Sequence, residues 1–252
     1  AGDVIKLLAD VEASEYIALN KSITINGNDN TITSPATRVF RITTGNVQVT
    51  MNDLNIVSTA VRAPGVDSIR GISIDGGFTG IELTLNDCSV DFTDATATDY
   101  SYAINVVSGS GHTLTVNGGT YEGANVINLW GTDHKVTITG ATLNNIYGIN
   151  DWYYGGIVRV ESQINELTLK NNTFNGTHAK VISYAANASV ESLVEENNID
   201  NTKRYVVKVG SNYYYTLEDA IAALEEPTPE PTPGPEVCEV FPDVKHGAWY
   251  EV

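Results

Sequence analysis

The sequence is short of cysteine, of basic residues and of long apolar runs, and each shortage narrows what the protein can be. Its 252 residues include only two cysteines, Cys88 and Cys238. Their separation provides no metal-binding spacing, and we do not expect a disulfide between them. No stretch approaches the roughly 18 apolar residues of a membrane-spanning helix. The sequence therefore predicts neither a cysteine-based metal site nor membrane insertion.

Basic side chains are outnumbered, with 14 Lys and Arg against 31 Asp and Glu and a net charge of −17. Such a chain lacks the cations that would replace counterions along a nucleic acid or an anionic membrane. An acidic surface can attract Ca²⁺, but it also simply keeps a secreted protein soluble. We expect no cofactor, no nucleic-acid partner and no bound metal. Ca²⁺ would be expected only if the protein is a lyase.

One short pattern recurs along the chain: an alternating strand, a polar turn and a second apolar pair. Its copies are KSITINGNDNTI (21–32), NVQVTMNDLNIV (46–57), TGIELTLNDCSV (79–90), GHTLTVNGGTY (111–121), HKVTITGATL (134–143), INELTLKNNTF (164–174) and VESLVEENNI (190–199). Alignment on Asn26, Asn52, Asn86, Asn117, Thr139, Lys170 and Glu195 gives, by subtraction, spacings of 26, 34, 31, 22, 31 and 25 residues. Periods in this range indicate a stacked solenoid.

Each period contains three short strands, as in GISID–GGFTG–IELTL–ND–CSVDF. Three strands per turn, rich in Ile, Val, Thr and Leu, predict an all-β parallel β-helix of about seven rungs over residues 1–203. We assign the recurring Asn to the turn, because Asn tolerates the left-handed conformation. Cys88 takes the repeat position of Leu54, Gly119 and Ala141, so we expect a buried, apolar environment for it.

Three further segments follow the repeats. Residues 204–225 predict a hairpin and a short helix, with Thr216 and Asp219 at the helix start. They form either a cap on the solenoid or the start of a next module. Residues 226–237 are a Pro-rich linker, and residues 238–252 begin another domain. Because the chain opens on AGDVIKLLADV, which is already strand-like, we expect a processed protein or an excised fragment.

Two resemblances follow from these residues. The three-strand rung with its Asn-bearing turn resembles the right-handed parallel β-helix of the pectin-lyase-like superfamily, over about residues 3–209. The resemblance implies that GISID, YAINV, VINLW, IVRVE and VISY form the sheet that carries active sites in the enzymes. The tail VFPDVKHGAWYEV (240–252) resembles the opening of an S-layer homology domain, with F-x-D-V before a W-Y pair. That resemblance implies cell-wall anchoring through Asp243 and Trp249, unless Phe241 and Trp249 are only core residues.

The longer periods owe their length to insertions at one position, before the long strands. The insertions are residues 58–70, 93–101 and 144–156, and we expect them along one edge of the solenoid, beside the long-strand sheet. On the long strands, alternate residues should face outward. That outward row comprises Arg41, Ser73, Asn105, Asn128, Arg159 and Ser183, and two residues further along the strands lie Asp75, Val107, Trp130 and Glu161.

A catalytic set can be sought on this face. Asp75 and Glu161 lie three rungs apart, about 14 Å at the spacing of β-strands, which is too far for the paired carboxyls of a glycosidase. The one candidate trio is Asp151, Arg159 and Glu161, for a lyase or hydrolase. The simpler interpretation is an exposed ion pair. The four histidines show no ligand spacing, and we expect them at the surface.

Aromatic residues are concentrated near one end of the same face. Trp130, Trp152, Tyr153 and Tyr154, with Asn128 beside them, suit stacking on sugar rings. Large aromatics also pack inserted loops onto a scaffold, which is the alternative. The sequence thus favours a secreted, wall-attached, non-catalytic module that binds a polysaccharide or cell-wall glycan. The alternatives are an enzyme acting on acidic polysaccharide and a purely structural spacer.

Overall fold

A computed structural model describes residues 2–62, 67–95, 100–147, 156–177, 180–203, 207–210, 212–214 and 216–225. The chain divides into two compact units, Ala1–Tyr205 and Val206–Val252, which are treated separately below. Nothing in the described part of the chain forms a helix that is both long and apolar enough to cross a bilayer.

The first unit consists of three parallel sheets, here called A, B and C. Sheet A contains eight strands: Asp3–Lys6, Ile23–Asn26, Gln48–Asn52, Glu82–Asn86, Thr113–Asn117, Lys135–Thr139, Gln163–Lys170 and Ser189–Glu196. Sheet B contains eight strands: Val11–Glu12, Thr31–Ser34, Asn55–Ser58, Ser89–Asp91, Thr120–Gly123, Thr142–Asn145, Thr173–Thr177 and Ile199–Lys203. Sheet C contains seven strands: Ile17–Leu19, Arg38–Ile42, Ile69–Ile74, Ser101–Val106, Ile127–Leu129, Gly156–Val160 and Lys180–Tyr184.

The chain visits the sheets in the order A, B, C, and each strand pairs in parallel with the strand one turn earlier and one turn later. This is the parallel β-helix that the repeat predicts, and the all-β fold class is confirmed. The long strands of the repeat lie together in sheet C, as the period requires. A one-residue slip would turn every side chain to the other face, so the apolar pattern sets the register.

The core is a column of stacked apolar side chains. In sheet A the inward file passes through Val49, Leu83 and Leu114, which pair rung upon rung and are buried. In sheet C, Ile74 pairs with Val106 in the same way, and both are buried. Full burial of one such side chain contributes about 1.5–3 kcal/mol. The predicted burial of Cys88 is confirmed, and its thiol is free.

The recurring asparagines form a ladder of amides at the end of sheet A. Asn117 Nδ2 donates to Asn86 Oδ1 at 2.8 Å, and Asn86 Nδ2 donates to Asn52 Oδ1 at 2.7 Å. Asn52 Nδ2 donates in turn to Asn26 Oδ1 at 2.7 Å. The predicted left-handed conformation of these four residues is wrong, because none of them has a positive φ. They stabilise the corner by bonding between rungs.

The left-handed residue is the one that follows the ladder. Asp53 and Asp87 have φ of 48°, and Asn171 and Asn197 have φ of 54° and 53°. At the same place Gly118 has φ of 70°, a conformation that costs glycine little. In these rungs the sharp turn between sheets A and B has Asp, Asn or Gly at one fixed position, whereas the turn after Asn26 has its positive φ at Asn28 and Asp29.

The final rung is offset by one residue from the alignment made on sequence. Lys170 pairs with Glu196, so the register places Glu195 beside Leu169 instead. Leu169 faces the core and is buried. Because the last rung carries Glu195 where earlier rungs carry apolar residues such as Ile138 and Leu169, the apolar pattern there is too weak to set the alignment by itself.

The second unit contains the predicted hairpin and helix. Val207–Val209 pairs antiparallel with Asn212–Tyr214, and the helix covers Leu217–Glu225. The helix begins at an N-cap, since the Asp219 backbone N–H donates to Thr216 Oγ1 at 3.0 Å. The Pro-rich linker and the anchor-like tail with Asp243 and Trp249 lie outside the described residues.

The amide ladder yields a prediction about stability. Asn86→Ala removes two inter-rung hydrogen bonds and leaves the amides of Asn52 and Asn117 without this neighbour. We expect the free energy of unfolding to fall by about 1–3 kcal/mol in urea titrations. Thr139→Ala is the matched control, because Thr139 has the same place in the file and is not part of the amide ladder. Equal losses in the two variants would contradict a stabilising ladder.

Candidate functional site on the outer face of sheet C

The three insertions interrupt the rungs at the same corner. Each lies between a strand of sheet B and the next strand of sheet C: from Ser58 to Ile69, from Asp91 to Ser101, and from Asn145 to Gly156. Their ends therefore share one edge beside the outer face of sheet C, as predicted. Residues 63–66, 96–99 and 148–155 lie outside the described residues.

The outward row on sheet C is polar, as predicted, but its central members are buried. Ser73, Asn105, Asn128 and Arg159 occupy adjacent outward positions and are all buried. The side chains contact one another along the row, and Asn128 Nδ2 donates to Asn105 Oδ1 at 2.8 Å. Successive rungs are only about 4.8 Å apart, which leaves little room for water between neighbouring side chains. The face therefore presents polar groups that are already partly desolvated.

Trp130 stands out on this face. It lies two residues beyond Asn128, on the same side of the strand, and is 53% exposed. Asn128 Oδ1 is buried and accepts no hydrogen bond within the described part of the chain. A ligand cannot reach that buried oxygen, so the exposed indole is the group on this face that suits a ligand with an apolar face. The other predicted aromatics, Trp152, Tyr153 and Tyr154, fall outside the described residues.

Only two members of the candidate catalytic trio lie within the described residues. Asp151 lies outside the described residues, while Arg159 Nε donates to Glu161 Oε1 at 3.1 Å. The interpretation of this pair as exposed is wrong, because the side chains of Arg159 and Glu161 are only 1% and 12% exposed. Arg159 lies between Asn128 and Ser183 of the neighbouring strands. A guanidinium held in this way is poorly placed to take a proton from a substrate.

Two histidines form a buried stack at the turn between sheets C and A, so the prediction that they lie at the surface is wrong. The rings of His112 and His134 are 4.9 Å apart and nearly parallel. The backbone N–H of Ile81 donates to His112 Nδ1, and that of His112 donates to His134 Nδ1, both at 3.2 Å. These two bonds lie on successive rungs, and each supplies a donor to the Nδ1 atom of a buried neutral ring. His178 and His246 lie outside the described residues.

Both rings are held neutral by this arrangement. Nε2 of His134 lies 3.2 Å from the carbonyl oxygen of Trp130, so the ring bonds the turn that presents the tryptophan. Burial lowers the pKa of His134 to about 4, and burial also lowers the pKa of His112. A proton on either Nδ1 would face a backbone N–H donor, so protonation must break the contact.

An arginine cluster, defined here as Arg38, Arg41 and Arg70 with Asp67 and Asp75, lies further toward the N-terminus on the same face. The sequence reasoning placed Arg41 and Asp75 in the outward row but missed Arg38 and Arg70. The sequence does contain a signal for these two residues, because Arg38 and Arg70 occupy the same position in successive periods.

No group of three or more His, Cys, Asp or Glu side chains comes together as a metal site among the residues that the structure describes. The chain matches no protein-family model, and neither curated proteins nor solved structures show a significant similarity to it. The functional argument therefore depends on the geometry of the chain itself.

The histidine stack predicts a pH dependence of stability. The unfolded pKa of His134 is near 6.5 and its folded pKa is about 4, so the unfolded state binds more protons between these values. Stability is therefore complete above pH 6.5 and is lost as the pH falls toward 4, by about 3 kcal/mol for this residue. We expect His134→Gln to reduce the slope of unfolding free energy against pH in that window. Identical slopes for the two proteins would contradict the assignment.

Proposed function

We propose that this chain is a non-catalytic binding module that holds a glycan against the outer face of sheet C. The observation that carries the proposal is the 53% exposure of Trp130 beside the polar row of sheet C. A sugar ring offers an apolar face for the indole and hydroxyl groups at its edge. Trp130 directly follows a hydrogen-bonded strand of sheet C, so little conformational entropy is lost on binding.

The architecture supports recognition of a long ligand. Sheet C stacks seven strands at about 4.8 Å per strand, which makes its outer face an extended, rigid surface. The three insertions border this surface along one edge. A polymer with repeating units can contact such a surface at several points, which raises avidity without a deep pocket.

The cellular setting is part of the proposal. The rung resembles that of the pectin-lyase-like superfamily, and residues 238–252 resemble the start of an S-layer homology domain. We therefore place the module outside the cell and attached to the wall, with Asp243 and Trp249 contributing to attachment. The glycan it binds is then a wall or environmental polysaccharide.

Glycan binding is tested with an array of neutral and acidic polysaccharides probed with the full chain. We expect Trp130→Ala to weaken binding of the strongest hit by about tenfold, which corresponds to one aromatic stacking contact. Tyr184→Ala is the matched control, because Tyr184 is also an exposed aromatic of sheet C but lies at its end. An array without hits, or equal binding by the two variants, would remove the proposed site.

The alternative of an enzyme for acidic polysaccharides predicts a different result. Incubation with polygalacturonate and related uronic-acid polymers, with and without Ca²⁺, should release no unsaturated or reducing ends. The physical reason is that Arg159 is buried in its ion pair with Glu161 and is not free to contact a substrate. Product that forms with the wild type and disappears in Glu161→Gln would establish catalysis and overturn the non-catalytic assignment.

A further inference from the structure

The arginines of this acidic chain are gathered on one part of the molecule. Of the six in the sequence, Arg38, Arg41, Arg62 and Arg70 fall within one short stretch. The cations on the outer face of sheet A are instead lysines, such as Lys135 and Lys170, each in an exposed pair with a glutamate. The protein thus has a net charge of −17 and a local concentration of guanidinium groups on sheet C.

The fold forces two of these arginines against each other. Arg38 and Arg70 are direct register partners on neighbouring strands. Like charges placed opposite each other in a sheet are destabilising. Asp67 lies between them, with its carboxylate oxygens 2.7 Å from Arg38 Nη2 and 3.0 Å from Arg70 Nη2. Burial, and to a lesser extent the charge of Arg38, lower the pKa of Arg70 although Asp67 raises it. Arg38 Nη1 also lies 3.8 Å from Asp75 Oδ1.

Arg41, the third arginine of the cluster, is held in place by the carboxylate of Asp75. Arg41 Nε donates to Asp75 Oδ2 at 2.8 Å, and a second donor of the same guanidinium, Nη2, contacts the same oxygen. Ser73 Oγ donates to Asp75 Oδ1 at 2.9 Å. The ring of Tyr16 lies 4.7 Å from Arg41 Cζ and covers the outer side of the guanidinium. These contacts hold Arg41 in one orientation.

The cluster remains short of acceptors. Three guanidinium groups face two carboxylates, so the set carries one excess positive charge. Arg38 Nε and Arg70 Nη1 are buried and donate to no acceptor in the part of the chain that the structure describes. Buried donors without a partner are destabilising, and native proteins usually satisfy them with water or a ligand.

A cleft opens beside two of the three arginines, Arg38 and Arg41, while Arg70 lies behind them and is not part of its lining. Its volume is about 190 Å³, and it is lined by Tyr16, Ala36, Thr37, Arg38, Arg41 and Asp67. Arginine presents a planar fork of donors that matches the oxygens of a carboxylate or a phosphate. Partial burial strengthens such contacts relative to those at an open surface.

We propose that the arginine cluster binds an oxyanion, the carboxylate or phosphate group of an acidic ligand, in this cleft. The anion supplies the negative charge that Asp67 and Asp75 do not, and its oxygens accept from the guanidinium donors. Tyr16, which is exposed, borders the cleft and contacts the remainder of the ligand. This site is separate from Trp130 and does not depend on glycan binding there.

The inference is tested by calorimetric titration of the full chain at constant ionic strength. The probes are inorganic phosphate, glucuronate and neutral glucose, with sodium chloride as the background salt. We expect saturable binding of phosphate, glucuronate or both, no binding of glucose, and at least a fivefold weaker affinity in Arg38→Gln. Lys135→Gln is the control, since it removes a cation from sheet A and should leave the affinity unchanged, as should Trp130→Ala.

A second variant introduces a carboxylate side chain into the cleft in place of a bound anion. Thr37 lines the cleft, so Thr37→Glu places a carboxylate beside the guanidinium groups. We expect a higher melting temperature than in Thr37→Gln, together with loss of the titration. This pair decides the question even if Arg38→Gln does not fold. No saturable binding of either anion, binding of glucose alone, or an affinity unchanged in Arg38→Gln and in Thr37→Glu would each overturn the proposal.

Discussion

In-register parallel pairing between successive rungs is the constraint on which the rest of this structure depends. Each residue of a strand lies over its counterpart one turn earlier, so side chains form continuous files. An apolar file such as Val49, Leu83 and Leu114 forms the core. A file of asparagines becomes a chain of amides, because each carboxamide can donate to one neighbour and accept from the next.

The same pairing also creates costs that must be offset locally. It sets Arg38 against Arg70 and therefore requires a carboxylate between them. It also buries His112 and His134, whose stack is stable only while both rings are neutral. The proposed anion site and the proposed glycan site both occupy sheet C, where outward files are polar and closely packed. The outward files thus contain the polar groups of both proposed sites, and the inward files contain the apolar side chains that stabilise the fold.

Much of the architecture could be predicted because the repeat is a local pattern. The strands, the helix with its Thr216 cap and the common position of the insertions all follow from short stretches read alone. The failures concern contacts between rungs. The weak last repeat was aligned on Glu195 instead of Glu196, and the histidines were placed at the surface, because their partners lie 22 to 31 residues away.

By itself, the sequence determined the β-helix, since alternation of apolar residues at a recurring period can be satisfied only by stacked strands around one core. It also pointed to sheet C, where the insertions meet, and to Trp130 and Asn128. Only the tertiary structure decided which outward groups are buried and which are satisfied. Burial and pairing depend on neighbours one full turn away. The burial of Arg159, the Arg38 Nε that has no acceptor among the described residues and the exposure of Trp130 therefore become apparent only when the rungs are stacked.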